Sequence, residues 1–192
     1  MSEDLYKVTA RIIFKLGERL ELSETKATLS RLRNSIGQDI SETIEIWPLM
    51  FEEMPIGYLS KSGEPTYEEN AILTALQLYA LHQQGNSNSV HESSGNSVGK
   101  ALREIRNTND SVSLDRRFNV MITADSFTEL STHLRHLISI LKQKTGPKVD
   151  YAKLAEDFYW YQISPKAANN MRMRWGQDYY KQSEKKEGKE YE

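Results

Sequence analysis

Three side chains in the second half of the chain could share a metal ion: Glu129, His133 and His136. On a helix they fall at i, i+4 and i+7, so one carboxylate and two imidazoles would line one face, a donor set suited to a divalent transition metal. The same residues have an ordinary explanation. Glu129 completes a capping box with Ser126, and His133 borders the apolar stripe of Leu130, Leu134, Leu137 and Leu141, where a half-buried imidazole commonly packs. The chain holds no Walker A loop, dinucleotide glycine fingerprint, nucleophile elbow or zincin motif. Cysteine is absent, so there is no thiolate ligand, thiol nucleophile or disulfide framework. No catalytic residue, metal or cofactor is expected.

The basic residues say more, because a turn of about 100° per residue fixes where each points on a helix. Lys100 and Arg103 lie opposite the Val98, Leu102 and Ile105 stripe. Arg116 points away from Leu114 and Phe118, with Arg117 on the flank, and Arg135 and Lys142 share the outer face of their helix. Arg31 and Arg33 precede a turn at Asn34 to Gly37. Arg174 projects outward from the last helix, whereas Arg172 lies near Trp175 and can snorkel along it. Three consecutive helices therefore show outward cations, and converging faces would make a track for a sugar-phosphate backbone. The competing reading is plain solvated surface, since exposed Lys and Arg are the rule. Trp160, Trp175 and Tyr79 sit on apolar stripes and are expected in the core rather than as stacking platforms for bases.

Total charge argues weakly against a polyanionic partner, at −2 over 192 residues, but its distribution is uneven. Residues 1–70 carry 8 basic and 13 acidic side chains, whereas residues 97–148 carry 9 and 5. Phosphate binding depends on where charge sits rather than on its sum. At 38% hydrophobic residues the chain can bury a core, and no apolar run approaches the roughly 20 residues that span a bilayer. The start, MSEDLYK, lacks the basic and apolar regions of a secretory signal, so a cytoplasmic protein without membrane contact is expected.

The elements that must position these residues all read as helices. Leu5, Val8, Ile12 and Leu16 step along one face of a first helix; Ser23 to Asn34 forms a second, and Ile40 to Phe51 a third, kinked or restarted at Pro48. Thr66 and Glu69 form a capping box for a helix reaching Gln84, whose wide apolar face marks it as central. Gly85 to Asn96, rich in Gly, Asn and Ser, reads as an exposed loop between two helical bundles. Beyond it, helices carry Val98 to Ile105, Leu114 to Ile122 and Leu130 to Leu141. Asp150 and Ser164 cap two more. The expected fold is all-α: two packed bundles of four to five helices each, over 1–84 and 97–181, joined by 85–96 and followed by a mobile charged tail at 182–192.

A series of short patterns in fixed order adds a resemblance. LSRLR (29–33) precedes Trp47-Pro48; LQLYA (76–80) runs into LHQQ; VGKAL (98–102) and LDRRF (114–118) lead to LSTHLRHLISIL (130–141). VDYAKLA (149–155) and WGQDYY (175–180) close the series. In these patterns the chain resembles the CasB family, the small subunit of the type I-E CRISPR surveillance complex Cascade. The resemblance implies a non-catalytic, two-bundle helical protein. It implies partnership with CRISPR RNA, target DNA, other Cascade subunits and a second copy of itself, and a role in stabilising the displaced strand of the R-loop. The family's basic positions fall here on Arg33, Lys100, Arg116, Arg117 and Arg135; Arg31, Arg103 and Lys142 join them by helical geometry. Asn34 and His136 stand where the family often places further cations. Two rival readings remain: a helical protein–protein adaptor without nucleic-acid contact, and an enzyme using a metal at Glu129, His133 and His136.

Overall fold

A computed structural model describes residues 4–106 and 111–181; the expected tail at 182–192 lies outside the described residues. The described chain is all-α, with nine helices: α1 Leu5–Gly17, α2 Ser23–Asn34, α3 Trp47–Phe51, α4 Tyr67–Gln83, α5 Val98–Ile105, α6 Ser111–Ile122, α7 Phe127–Leu141, α8 Tyr151–Ile163 and α9 Pro165–Tyr180. Local chemistry starts most of them. Side chains of Asp4, Thr66, Ser97, Ser126, Asp150 and Ser164 each accept a hydrogen bond from an otherwise orphaned amide of the first turn. At Thr66 the box is reciprocal, with the Glu69 carboxylate accepting from Thr66 N at 2.8 Å.

The third helix is shorter than its apolar content suggests. Residues 40–51 form two 3-10 turns, Ile40–Glu42 and Ile44–Ile46, before α3 begins. The Ile40 carbonyl explains the break: it accepts from the Thr43 hydroxyl at 3.0 Å and from the Trp47 indole at 2.7 Å, partners that replace a helical ladder. Pro48 then occupies the first turn of α3, where a missing N–H costs nothing.

Helix α4 is apolar around most of its circumference and is the axis of the core. Ile72, Leu76, Tyr79 and Ala80 are fully buried, and α4 packs against α8, α2, α7 and α1. Helix α8 also packs on α1, so it joins the first four helices although it follows the 85–96 segment by more than fifty residues. The buried residues form one cluster running from Leu5 to Tyr179. Trp160 departs from the core position expected of it and is 48% exposed. Tyr151, Leu154, Ala155, Phe158 and Tyr161 already occupy the inner faces of α8, which turns position 160 outward.

The 85–96 segment is laced down rather than free. The Gln83 amide donates to the carbonyls of Asn86 and Asn88 and accepts from Val90 N, and Val90 is buried. Val90 and Glu92 bond through their backbones to Val149, and Asp150 takes up Gly95 N at 2.9 Å. Helices α5 and α9 cross so closely at Gly99 that a Cβ there would collide with the carbonyl oxygen of Trp175. No helix among the described residues is long and apolar enough to cross a membrane.

Candidate nucleic-acid interface

Helices α6 and α7 pack side by side after the short turn at Thr123–Ser126. Leu114, Phe118 and Met121 of α6 and Leu130, Leu134 and Leu137 of α7 take the buried faces. That register leaves Ser113, Arg116, Arg117 and Val120 opposite His133 and His136 across a cleft of about 330 Å³. Among the described residues, no carboxylate lines it. His136 also borders a second depression, of about 370 Å³, between α7 and the end of α2, where Arg135 stands with Gln38, Asp39 and Gln77. His136 thus borders both depressions, Arg116 and Arg117 lining the first and Arg135 the second.

Their charge is not cancelled. Among the described residues, no acidic side chain forms an ion pair with Arg116, Arg117 or Arg135. The acids nearest in sequence are engaged elsewhere. Asp115, beside Arg116, is gripped bidentately by Arg106 at 2.8 and 2.9 Å and accepts from the Tyr179 hydroxyl at 2.6 Å. The Arg106 hydrogen bonds, reinforced by Tyr179, pull the Asp115 carboxyl down to about 2. Arg106 lies 5.4 Å from both the Tyr179 and Tyr180 rings, so its charge is spent internally. Glu129 accepts from Asp125 N and stands 3.5 Å from His133.

The remaining expected contacts are not in this cluster. Arg31 pairs with Glu45 at 3.3 Å. Arg33 is partly buried, and burial lowers its pKa. Lys142, the C-cap of α7, donates to Gln84 Oε1 at 3.1 Å. Lys100 and Arg103 lie on α5, partly buried, and neither lines the α6–α7 cleft. Arg174, expected to project into solvent, ion-pairs with Asp157, and Arg172 bonds the Ala124 carbonyl while resting over the Tyr161 ring. Among the described residues, no three His, Asp or Glu side chains stand close enough to hold a metal ion. Glu129 and His133 meet, while His136 lines the cleft with Arg116 and Arg117. The arrangement offers guanidinium groups unpaired among the described residues, two imidazoles and a hydroxyl over one open cleft, donors that suit the oxygens of an extended polyanion.

Comparison with known proteins places the chain in a family. The family profile described as CRISPR-associated protein Cse2 matches residues 28–180. The fold is similar to a crystal structure of CasB from Thermobifida fusca, with a TM-score of 0.73 and 24% identity over 91% of this chain and 97% of that one. It is also similar to a CRISPR-associated protein of the Cse2 family from Thermus thermophilus, with a TM-score of 0.65 and 21% identity over 94% and 99% of the two chains. A structure of CasB from the same organism gives 0.64 and 22% over the same shares. At these identities the solved structures establish the shared fold. No curated protein sequence matches the chain. The profile spans most of the sequence, including both helices that build the cationic cleft, and the chain belongs to the CRISPR-associated protein Cse2 family.

Proposed function

We infer that the protein is the non-catalytic small subunit of a type I-E CRISPR RNA-guided surveillance complex, Cascade, acting in the cytoplasm. It would hold the sugar-phosphate backbone of CRISPR RNA and target DNA and stabilise the displaced strand of the R-loop. Other Cascade subunits and a second copy of the chain would be its protein partners. The two halves, 1–84 and 97–181, would divide this work, the acidic one facing proteins and the basic one facing nucleic acid. Sequence-tolerant holding needs only positioned cations, because base pairing supplies the specificity.

The observation that carries this reading is the α6–α7 cleft, where Arg116 and Arg117 face His133 and His136 with no lining carboxylate among the described residues. Arg135 is its neighbour across His136. Lys100, Arg103, Arg31, Arg33 and Lys142 are proposed as secondary contacts. The rival, a helical adaptor without nucleic-acid contact, draws on the ion-paired cations of the first half.

Fluorescence anisotropy with a labelled single-stranded oligonucleotide separates the two. Affinity is expected to fall steeply with salt, because binding releases counterions, and the R116E/R117E/R135E triple variant should lose about tenfold or more at low salt. Its thermal midpoint should stay within about 2 °C of the parent, since all three residues are exposed. Unchanged affinity in the triple variant overturns the reading in favour of the adaptor.

A further inference from the structure

A third depression, of about 260 Å³, has the opposite character. It lies between the start of α1, the Ile56–Tyr58 turn, α4 and α8, and its walls include Asp4, Glu68, Glu156, Tyr58, Tyr159 and Trp160. Tyr159 and Trp160 meet edge to face, with ring centroids 5.3 Å apart and planes at 72°. Trp160 is 48% exposed, an unusual place for the largest apolar side chain.

The three carboxylates are unequally committed. Asp4 accepts from Tyr6 N at 3.1 Å as the cap of α1, and Glu156 pairs with Lys153. Glu68, in the first turn of α4, forms no ion pair among the described residues. Its charge reaches the aromatic wall: the Tyr159 hydroxyl is pushed up first by burial and then by Glu68. Among the described residues, one lysine thus stands against three carboxylates.

We propose that this cleft is the docking seat for an arginine or lysine side chain presented by a partner protein. Ring faces attract a cation through their quadrupole, and a carboxylate beside them supplies a charge-assisted hydrogen bond. A guanidinium or ammonium group on an aliphatic stem satisfies both walls at once. Competing occupants fit less well. Phosphates would meet the carboxylates. A bare divalent ion needs several converging oxygens, and among the described residues no three acidic or imidazole groups approach closely enough. A purely apolar side chain would leave Glu68 facing it without a partner. The proposal does not depend on nucleic-acid binding.

The test uses the indole N–H signals of the full chain, which has three tryptophans, in a nitrogen-15 correlation spectrum. W160F assigns the Trp160 signal. The probes are the blocked tripeptide Gly-Arg-Gly and its citrulline counterpart, which keeps the shape and removes the charge. The arginine peptide should shift the Trp160 signal saturably at millimolar concentration, leaving the buried Trp175 unmoved. Glu68→Gln should weaken that response about threefold or more, and citrulline should lose most of it. Equal shifts with arginine and citrulline, an undiminished response in Glu68→Gln, or no saturable shift at Trp160 would each overturn the proposal.

Discussion

The α6–α7 cleft and the acidic half of the molecule both carry arginines, and the two regions differ in what those arginines are doing. In the first half, Arg11 and Lys15 converge on Glu53, Lys26 reaches Glu21, and Arg31 reaches Glu45. Around α6 and α7, Arg116, Arg117 and Arg135 have no such partners among the described residues, because Asp115 is held by Arg106 and Glu129 by a helix cap. A formal charge of −2 is therefore compatible with a locally positive surface. Pairing, rather than composition, decides which cations remain available to a ligand.

Removing a buried carboxylate is the most severe challenge to this contrast. Asp157 is 3% exposed, accepts from the Trp175 indole at 2.8 Å and ion-pairs with Arg174. Asp157→Ala frees the exposed Arg174, but it strands the buried Trp175 indole N–H. Chemical denaturation should show a loss of about 3 kcal/mol, with no compensating gain in oligonucleotide affinity. A stable variant that binds nucleic acid more tightly would erase the distinction between structural and available cations.

Acidification is expected to act almost as strongly, through the core that the two regions share. His82 of α4 is buried with Nδ1 2.9 Å from the Tyr151 hydroxyl of α8, and burial depresses its pKa to about 4. The unfolded chain takes up this proton as pH falls below about 6.5, and the folded chain only near 4. Stability is thus full above that upper value and declines between the two, by about 3 kcal/mol in all. Denaturation midpoints across pH 7 to 4 measure the slope, and His82→Gln should flatten it. An unchanged slope in that variant removes His82 as the cause. The triple arginine reversal follows in size.

The smallest effect sharpens the contrast most. Glu45→Gln releases Arg31 from an exposed pair without moving it, and oligonucleotide affinity should rise less than about twofold. A tenfold rise would mean that pairing alone, and not position beside the cleft, separates the two regions.

Much of this was legible before any coordinates. The caps at Thr66, Asp150 and Ser164 and the stripes of α1, α6 and α7 are local, each written within a few neighbouring residues, and the helices form where those signals stand. The outward direction of Arg116 and Arg135 followed from the same periodicity, which set Arg117 on the flank. What periodicity cannot carry is contact between distant elements. The Tyr179 hydroxyl reaches Asp115 only because α9 returns beside α6, and the Arg31–Glu45 pair depends on how 40–46 coils. Likewise His133 and His136 share a helix visibly, yet their meeting with Arg116 and Arg117 depends on how α6 and α7 pack. Trp160 misled because an aromatic beside buried neighbours looks apolar-facing until the inner faces of α8 are filled.

The missing methyl group at Gly99 has a consequence for aim. Since backbone meets backbone there, α5 can roll against α9 only by parting from it, so the bearing of Lys100, the next residue along, is fixed by an atom that is not there. Any larger side chain at that position would act as a wedge, swinging the α5 cations to a new heading while leaving every one of them in the sequence.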